Sequence, residues 1–408
     1  MENKGKAKKE SFFQKLQRVR GKDIAHIFLF LLAWPISFIY KRFRKDLWLI
    51  CDKENEARDN GYWLFRYIME THPERDVIYA INKKSPDYGR VKPLGRVVQF
   101  GSFRHWIYYL TASKNISSQK DGKPDAAVCY VLEVYGILKN TRVFLQHGVI
   151  LNDLPFLHFK NAKMRLFICS TDKEYQFVSG SFGYPQGHVV KAGLCRFDNL
   201  TDCSGHGKDR KILVMPTWRD WISNQTSRSY QYEDVSDFRN TTYYKGWMGF
   251  LSDGELENIL RENHLELIFY QHRGMQKYTS YFQDVVKGVR LASWPEYDVQ
   301  QLLRECDMLI TDYSSVNIDF AYMKKPLLYY QFDYEMYRTG QYGEGYFDYA
   351  RDGFGKVCLS RQDLLGSLRD IIREGFRMPP QYCGRADEFF TFHDKNNCKR
   401  NYEAICKI

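Results

Sequence analysis

The sequence predicts two doubly wound α/β domains behind a basic, apolar arm. Three observations carry this: a length of 408 residues, apolar strand-like runs that restart after residue 205, and positive charge concentrated in residues 1–45. A chain this long outgrows one ordinary core and divides into domains of about 150 to 200 residues. A hydrophobic share of 44% and an aromatic share of 16% suit packed cores, and no low-complexity tract or internal repeat interrupts them.

The arm comes first. Residues 1–45 hold twelve Lys and Arg against Glu2, Glu10 and Asp23, so they carry +9 of the net +11. A nucleic-acid partner would spread basic surface over the folded domain, whereas a basic arm suits an anionic membrane surface. Within it, Ile24–Tyr40 is a seventeen-residue run in which only His26, Pro35 and Ser37 are not plainly apolar. As a helix it would be about 25 Å long, short of the roughly 30 Å hydrocarbon core. Both flanks are basic, which gives no orientation, and no small-residue cleavage site follows. Upstream, Phe12, Phe13, Leu16 and Val19 share a helical face, with Lys15, Arg18 and Lys22 elsewhere. That is the pattern of a helix lying in the membrane plane. The arm is expected to dock a peripheral protein on the cytoplasmic membrane face, with true spanning or simple core packing as the alternatives, and its removal to release the remainder without unfolding it. Ten cysteines, with no C-x-x-C pair and no Cys/His cluster at zinc spacing, read as reduced thiols, and no metal site is expected.

After the arm, Asp46–Cys51 reads as a strand, Asn60–Glu70 as a helix and Asp76–Ile81 as a second strand, which is a parallel-sheet rhythm. Arg142–Leu145, Leu166–Cys169 and Val189–Ala192 are further strands. The polar stretch Thr201–Asp209 marks the boundary between a domain over 46–205 and one over 206–408. The second domain opens on the strand Lys211–Pro216 and continues through Glu266–Tyr270, Met308–Thr311 and Pro326–Tyr330. Asp298–Glu305 and Val316–Lys324 have helical apolar spacing. Ligands in such sheets bind beyond the carboxyl ends of strands, so the residues just after each strand are the candidates.

Four such turns carry suitable groups. Asp312-Tyr-Ser-Ser315 follows a strand and opens a helix, where Ser314 or Ser315 either caps the helix or offers a hydroxyl and backbone N–H groups to a phosphate. His147 and Gly148 follow Val143-Phe-Leu-Gln146. The histidine is suited to accept a hydroxyl proton or else is satisfied by a neighbouring carbonyl, and glycine lets the backbone approach a ligand. His272 and Arg273, then Pro216-Thr-Trp-Arg-Asp220, occupy the same kind of position, and Arg196 in Ala192–Asp198 adds a cation. Each could be structural alone, but α/β topology directs such turns to one cleft. Walker A, G-x-G-x-x-G, G-x-S-x-G and D-x-D patterns are absent, which weakens kinase, dehydrogenase, hydrolase and metal-dependent glycosyltransferase readings.

Leu309-Ile-Thr-Asp-Tyr-Ser-Ser315 with Asp319, Pro326 and Asp333 resembles the signature of the CDP-glycerol glycerophosphotransferases, the teichoic-acid polymerases. The resemblance runs through Asn60-Gly-Tyr62, His147-Gly148, Gly193–Asp198, Pro216–Asp220, His272 and Phe392-His-Asp394, about residues 46 to 405. It implies a GT-B-like arrangement of two Rossmann-like domains and catalytic roles for His147 and His272. It places the nucleotide and its pyrophosphate near Arg196, Pro216, Thr217, Ser314, Ser315 and Asp319, and Gln146, Gly148 and Arg273, beside the two histidines, are further candidates for substrate contact. The implied donor is a CDP-activated polyol, with no further cofactor, and the implied acceptor a lipid-linked glycan or polyol phosphate. The chain departs from the family pattern at Gln146 and Asn152, where Trp and Lys are usual, and at Arg273, where Pro commonly follows the histidine. A CDP-ribitol transferase, a nucleotide-sugar glycosyltransferase and a silent membrane scaffold are the alternatives.

Overall fold

Parallel strands buried on both faces read in sequence as unbroken apolar runs, and these form the frame of the chain. The computed structural model describes residues 21–205, 210–223 and 233–408, in two compact units, Met1–Phe144 and Leu145–Ile408. The in-plane helix expected around Phe12, Phe13, Leu16 and Val19 lies outside the described residues, as do 206–209 of the polar stretch.

In the first unit, β1 (Trp48–Cys51), β2 (Val77–Ile81), β3 (Val97–Gln99), β4 (Lys114–Ser117) and β5 (Arg142–Phe144) pair in parallel in the order β3-β2-β1-β4-β5. The helix expected after β1 spans Asn60–Thr71. Two strands were not visible in the sequence, for a simple reason. β3 has three residues, and β4 carries Lys114, Asn115 and Ser117, so neither makes an apolar run.

The helix Gly21–Phe43, about 35 Å long, is among the described residues the one long and apolar enough to cross a membrane. It is not a detachable arm. Asp23, Phe30, Ala33 and Ser37 form a buried stripe at heptad-like spacing, and Phe30 meets Trp106 of the helix Phe103–Thr111 edge-on at 5.7 Å. The Trp106 indole donates to His26 Nδ1 at 3.0 Å. On the other side Ile24, Phe28, Leu31, Leu32, Phe38 and Ile39 are exposed. Release of residues 1–45 without unfolding is therefore corrected, because one stripe of the helix belongs to the first unit's core.

In the second unit, β6 (Leu166–Cys169) pairs with β7 (Val189–Lys191). A six-stranded parallel sheet follows: β8 (Arg210–Met215), β9 (Leu265–Tyr270), β10 (Val289–Ala292), β11 (Met308–Thr311), β12 (Leu327–Tyr330) and β13 (Lys356–Cys358), in the order β10-β9-β8-β11-β12-β13. Side chains alternate between two cores with the pleat. Ile212, Val214, Leu267, Phe269 and Ile310 join Trp247 and Phe250 on one face. Leu213, Met215, Ile268, Leu309 and Tyr329 join Phe354 and Phe389 on the other.

Phe30→Ala is expected to lower unfolding stability by about 3 kcal/mol, the usual cost of an aromatic cavity. Phe28→Ala, on the exposed side, should stay within about 0.5 kcal/mol. Denaturant unfolding of both variants checks this, and equal effects would contradict the embedded stripe.

Candidate active site

The strand order of the second sheet reverses between β8 and β11, and such a switch point is where open α/β sheets bind ligands. The residues that follow these strands are Pro216-Thr-Trp-Arg219 and Asp312-Tyr-Ser-Ser315. They are tied together by a buried ionic cluster. The Arg219 guanidinium, fully buried, donates to both Asp333 oxygens at 2.8 and 3.0 Å, lies 2.9 Å from Asp312 Oδ2 and donates to the Thr217 carbonyl at 2.9 Å. Asp312 Oδ1 accepts from the Thr217 and Tyr313 N–H groups at 2.7 and 2.6 Å. The Tyr313 hydroxyl donates to Asp333, and its ring stacks on Tyr337 at 3.7 Å. One cation between two carboxylates leaves the cluster acidic, and burial pushes the Asp312 carboxyl upward against the pull of Arg219. Sequence reasoning assigned no role to Arg219, Asp312 or Asp333, since a buried arginine reads like an exposed one. Pro216 and Thr217 are also buried.

The His147 turn sits beside this switch point. His147 is exposed, while its carbonyl accepts from Arg196. Arg196 is held by Asp319 through two parallel bonds, Nε to Oδ1 at 2.6 Å and Nη2 to Oδ2 at 2.8 Å. The planar fork fixes the guanidinium against the turn. A Cβ on Gly148 would lie 2.9 Å from the Ser315 hydroxyl and 3.7 Å from Arg196 Nη2, so glycine is what lets the two loops meet. His147, Gly148, Arg196, Ser315 and Asp319, picked out separately in the sequence, are therefore neighbours.

The serines do not cap the helix as expected. Ser315 holds the N-cap position with helical backbone, φ −62° and ψ −11°, and makes no side-chain cap bond to the seven-residue helix Val316–Tyr322. Asn317 and Ile318 instead donate their N–H groups to the Ser314 and Ser315 carbonyls at 3.1 and 3.0 Å. Both serine side chains stay half-buried at the switch point, with their hydroxyls unspent on capping.

Gln146 faces inward. Its backbone is left-handed at φ 65°, a conformation that costs a non-glycine residue about 1 to 2 kcal/mol. Its amide donates to Glu174 Oε1 at 2.9 Å and to the Ile168 carbonyl. Glu174 also accepts from the Ile150 and Ser170 N–H groups at 2.7 and 2.6 Å. Burial pushes its carboxyl up to about 7, against those donors. The spacing Thr171-x-x-Glu174 is a capping-box signature for the helix Asp172–Ser181, a signal that marks the helix start but not this second use of the carboxylate.

His272 is exposed at the end of β9, with its ring stacked on Trp218 at 6.0 Å. Nδ1 accepts from the Gly274 N–H at 3.2 Å, which puts the proton of the neutral ring on Nε2. Arg273 lies over the Trp294 ring, 3.8 Å from its centroid, and burial lowers its guanidinium from the ordinary value. The loop that carries Arg196 is braced by the helix Asn397–Cys406, whose first N–H groups, on Asn397 and Cys398, donate to Asp198 at 2.9 and 2.7 Å. This explains why the tail belongs to the site's frame.

The first unit has an analogous switch point between β1 and β4, and it is filled by its own side chain. Asp52 accepts from Gly61 and Tyr62 N–H at the start of the helix Asn60–Thr71, from Ser118 and from Tyr79, at 2.6 to 3.0 Å. A carboxylate thus takes the place where a nucleotide phosphate would sit.

Arg219→Met is expected to cost about 3 to 5 kcal/mol, because it leaves Asp312 and Asp333 buried without their counter-charge. Denaturant unfolding measures it, and a loss below about 1 kcal/mol would contradict the role given to the cluster.

The sequence model of CDP-glycerol:poly(glycerophosphate) glycerophosphotransferases matches residues 34–407. The chain is 31% identical over 391 residues to the minor teichoic acid biosynthesis protein GgaB of Bacillus subtilis, covering 93% of this chain and 42% of GgaB. It is also 31% identical over 368 residues to a teichoic acid poly(glycerol phosphate) polymerase of Staphylococcus epidermidis, covering 81% and 46%. The chain spans less than half the length of these two relatives. Among solved structures, the wall teichoic acid polymerase TagF superposes with a TM-score of 0.61 at 15% identity, over 97% of this chain and 98% of that one. A UDP-N-acetylglucosamine 2-epimerase from Listeria monocytogenes reaches 0.54 at 13% identity, over 88% and 96%. Likeness at this level carries the fold, two Rossmann-like sheets of the GT-B-like class, and leaves the chemistry to the site. The match through nearly the whole chain settles the lineage: this chain belongs to the CDP-glycerol:poly(glycerophosphate) glycerophosphotransferase family.

Proposed function

We propose that the chain moves glycerol phosphate from CDP-glycerol to a lipid-linked teichoic-acid-like or capsular acceptor, with release of CMP. The observation that supports this best is an exposed histidine whose backbone is fixed by the Arg196–Asp319 fork beside the Ser315 hydroxyl. An acceptor hydroxyl attacks the β-phosphorus, the bond from that phosphorus to the oxygen bridging to CMP breaks, and the hydroxyl proton passes to His147. A positioned base is worth roughly a hundredfold to ten-thousandfold in rate. His272, donating through Nε2–H, and the hydroxyls of Thr217, Ser314 and Ser315 meet phosphate charge, so the reading needs no metal or other cofactor. Arg196 contributes mainly by holding the turn, and Arg273 is a donor contact on the Trp294 side. Gln146, turned inward, supports the loop rather than the substrate. The filled switch point of the first unit leaves that unit for the acceptor.

Ribitol phosphate is the second reading, since the ribitol-phosphate polymerase TarL of Staphylococcus aureus is 25% identical over 252 residues. Exposed Lys22, Lys41, Arg42 and Lys45 rim the exposed apolar side of Gly21–Phe43, which supports docking on the cytoplasmic face of the membrane.

His147→Ala is expected to lower transfer roughly a hundredfold to ten-thousandfold, measured as CMP release in buffer containing EDTA, while CDP-glycerol still binds in calorimetry. Ser314→Ala with Ser315→Ala should weaken donor binding. Near-normal turnover of a folded His147→Ala protein would end the mechanism. Replacing Phe28, Leu32 and Phe38 with Ser should move the protein from the membrane to the soluble fraction, and unchanged sedimentation would exclude this docking face.

A further inference from the structure

The His147 turn is held from two sides, and only one of them belongs to the family signature. On the signature side, Arg196 donates to the His147 carbonyl and Asp319 holds Arg196. On the opposite side stands Glu174, fully buried, on the helix Asp172–Ser181. Its Oε1 takes the Gln146 amide at 2.9 Å and the Ile150 N–H at 2.7 Å, so one oxygen grips the residue before His147 and the residue that closes the turn. Its Oε2 takes the Ser170 N–H at 2.6 Å, which fastens the carboxylate to the end of β6. Gln146, Val149 and Ile150 are buried, Gly148 is half-buried, and His147 alone projects. The left-handed backbone at Gln146 makes that projection depend on what holds the side chain below it.

We infer that Glu174 is a positioning residue: its carboxylate, gripping Gln146 and Ile150, sets the reach of the His147 imidazole toward the acceptor hydroxyl. This rests on the reading of His147 as the base and goes beyond it by naming what aims that base. Glu174 is fully buried beneath the turn. Its loss acts through the imidazole, where a displacement of about 1 Å is worth up to a hundredfold in rate.

The test compares Glu174→Gln, Gln146→Ala, His147→Ala and the double variant Glu174→Gln/His147→Ala in the full chain, with CDP-glycerol and a lipid-linked acceptor. Glu174→Gln should lower kcat roughly ten- to a hundredfold, leave the KM for CDP-glycerol within about twofold, and add no further loss to the residual rate of His147→Ala. Gln146→Ala, which keeps the carboxylate and its Ile150 contact, should show a smaller fall in kcat with the same KM. If Glu174→Gln does not fold, this variant carries the comparison. A normal kcat, a parallel change in kcat and KM, or losses that multiply in the double variant would overturn the inference. Full turnover of His147→Ala would instead overturn the reading beneath it. An inactive His147→Ala beside a normal Glu174→Gln would overturn the positioning role alone.

Discussion

The fork between Arg196 and Asp319 is the interaction on which the rest of the site depends. Asp319 sits on the helix after the Asp-Tyr-Ser-Ser turn, Arg196 on the loop after β7, and the guanidinium reaches on to the carbonyl of His147. Three segments far apart in sequence are thereby held at one point by a planar group with directed donors. Lysine carries the charge but lacks the fork, so it could not satisfy Asp319 in two parallel bonds and still hold the turn. Because the pair is almost wholly buried, removing either partner would strand the other, which makes the arrangement all-or-none.

A second buried group, Arg219 between Asp312 and Asp333, does for the switch point what the fork does for the turn. It joins the loops after β8, β11 and β12 through side chains rather than backbone pairing, and Tyr313 and Tyr337 seal it from water. Asp312, Tyr313, Asp319 and Asp333 of the signature thus hold loops to one another. The family's Asp-Tyr-Ser-Ser run divides by role: Asp312 and Tyr313 brace the loop, while Ser314 and Ser315 are left at its surface. In the first unit the equivalent place is filled by Asp52, which accepts from the Gly61 and Tyr62 N–H groups.

Much of this frame was legible in the sequence, because parallel strands buried on both faces announce themselves as apolar runs. Leu166–Cys169 and Met308–Thr311 were read to the residue. β3, β4, β10 and β13 were not, since Gln99, Lys114 and Asn115, Arg290 and Lys356 interrupt them and leave no apolar run to set them apart from a loop. The turns bearing His147 and His272 were legible for the same reason, being ends of clear strands. What the sequence could not show was the inward orientation of Gln146, the double use of Glu174 and the partnering of Arg196. Those depend on which side chains meet across separations of 22 to 123 residues. The helix Gly21–Phe43 was legible as apolar, but its buried stripe was hidden because apolar residues run all round it.

The proposed transfer requires CMP release and phosphodiester formation to be coupled. The direct measurement is phosphorus NMR of the purified full chain with CDP-glycerol, in the presence and absence of a lipid-linked glycerol phosphate acceptor. Coupled transfer gives one new phosphodiester for each CMP formed, and no CMP beyond background when the acceptor is withheld. CMP released equally without acceptor, or no phosphodiester despite turnover, would contradict it.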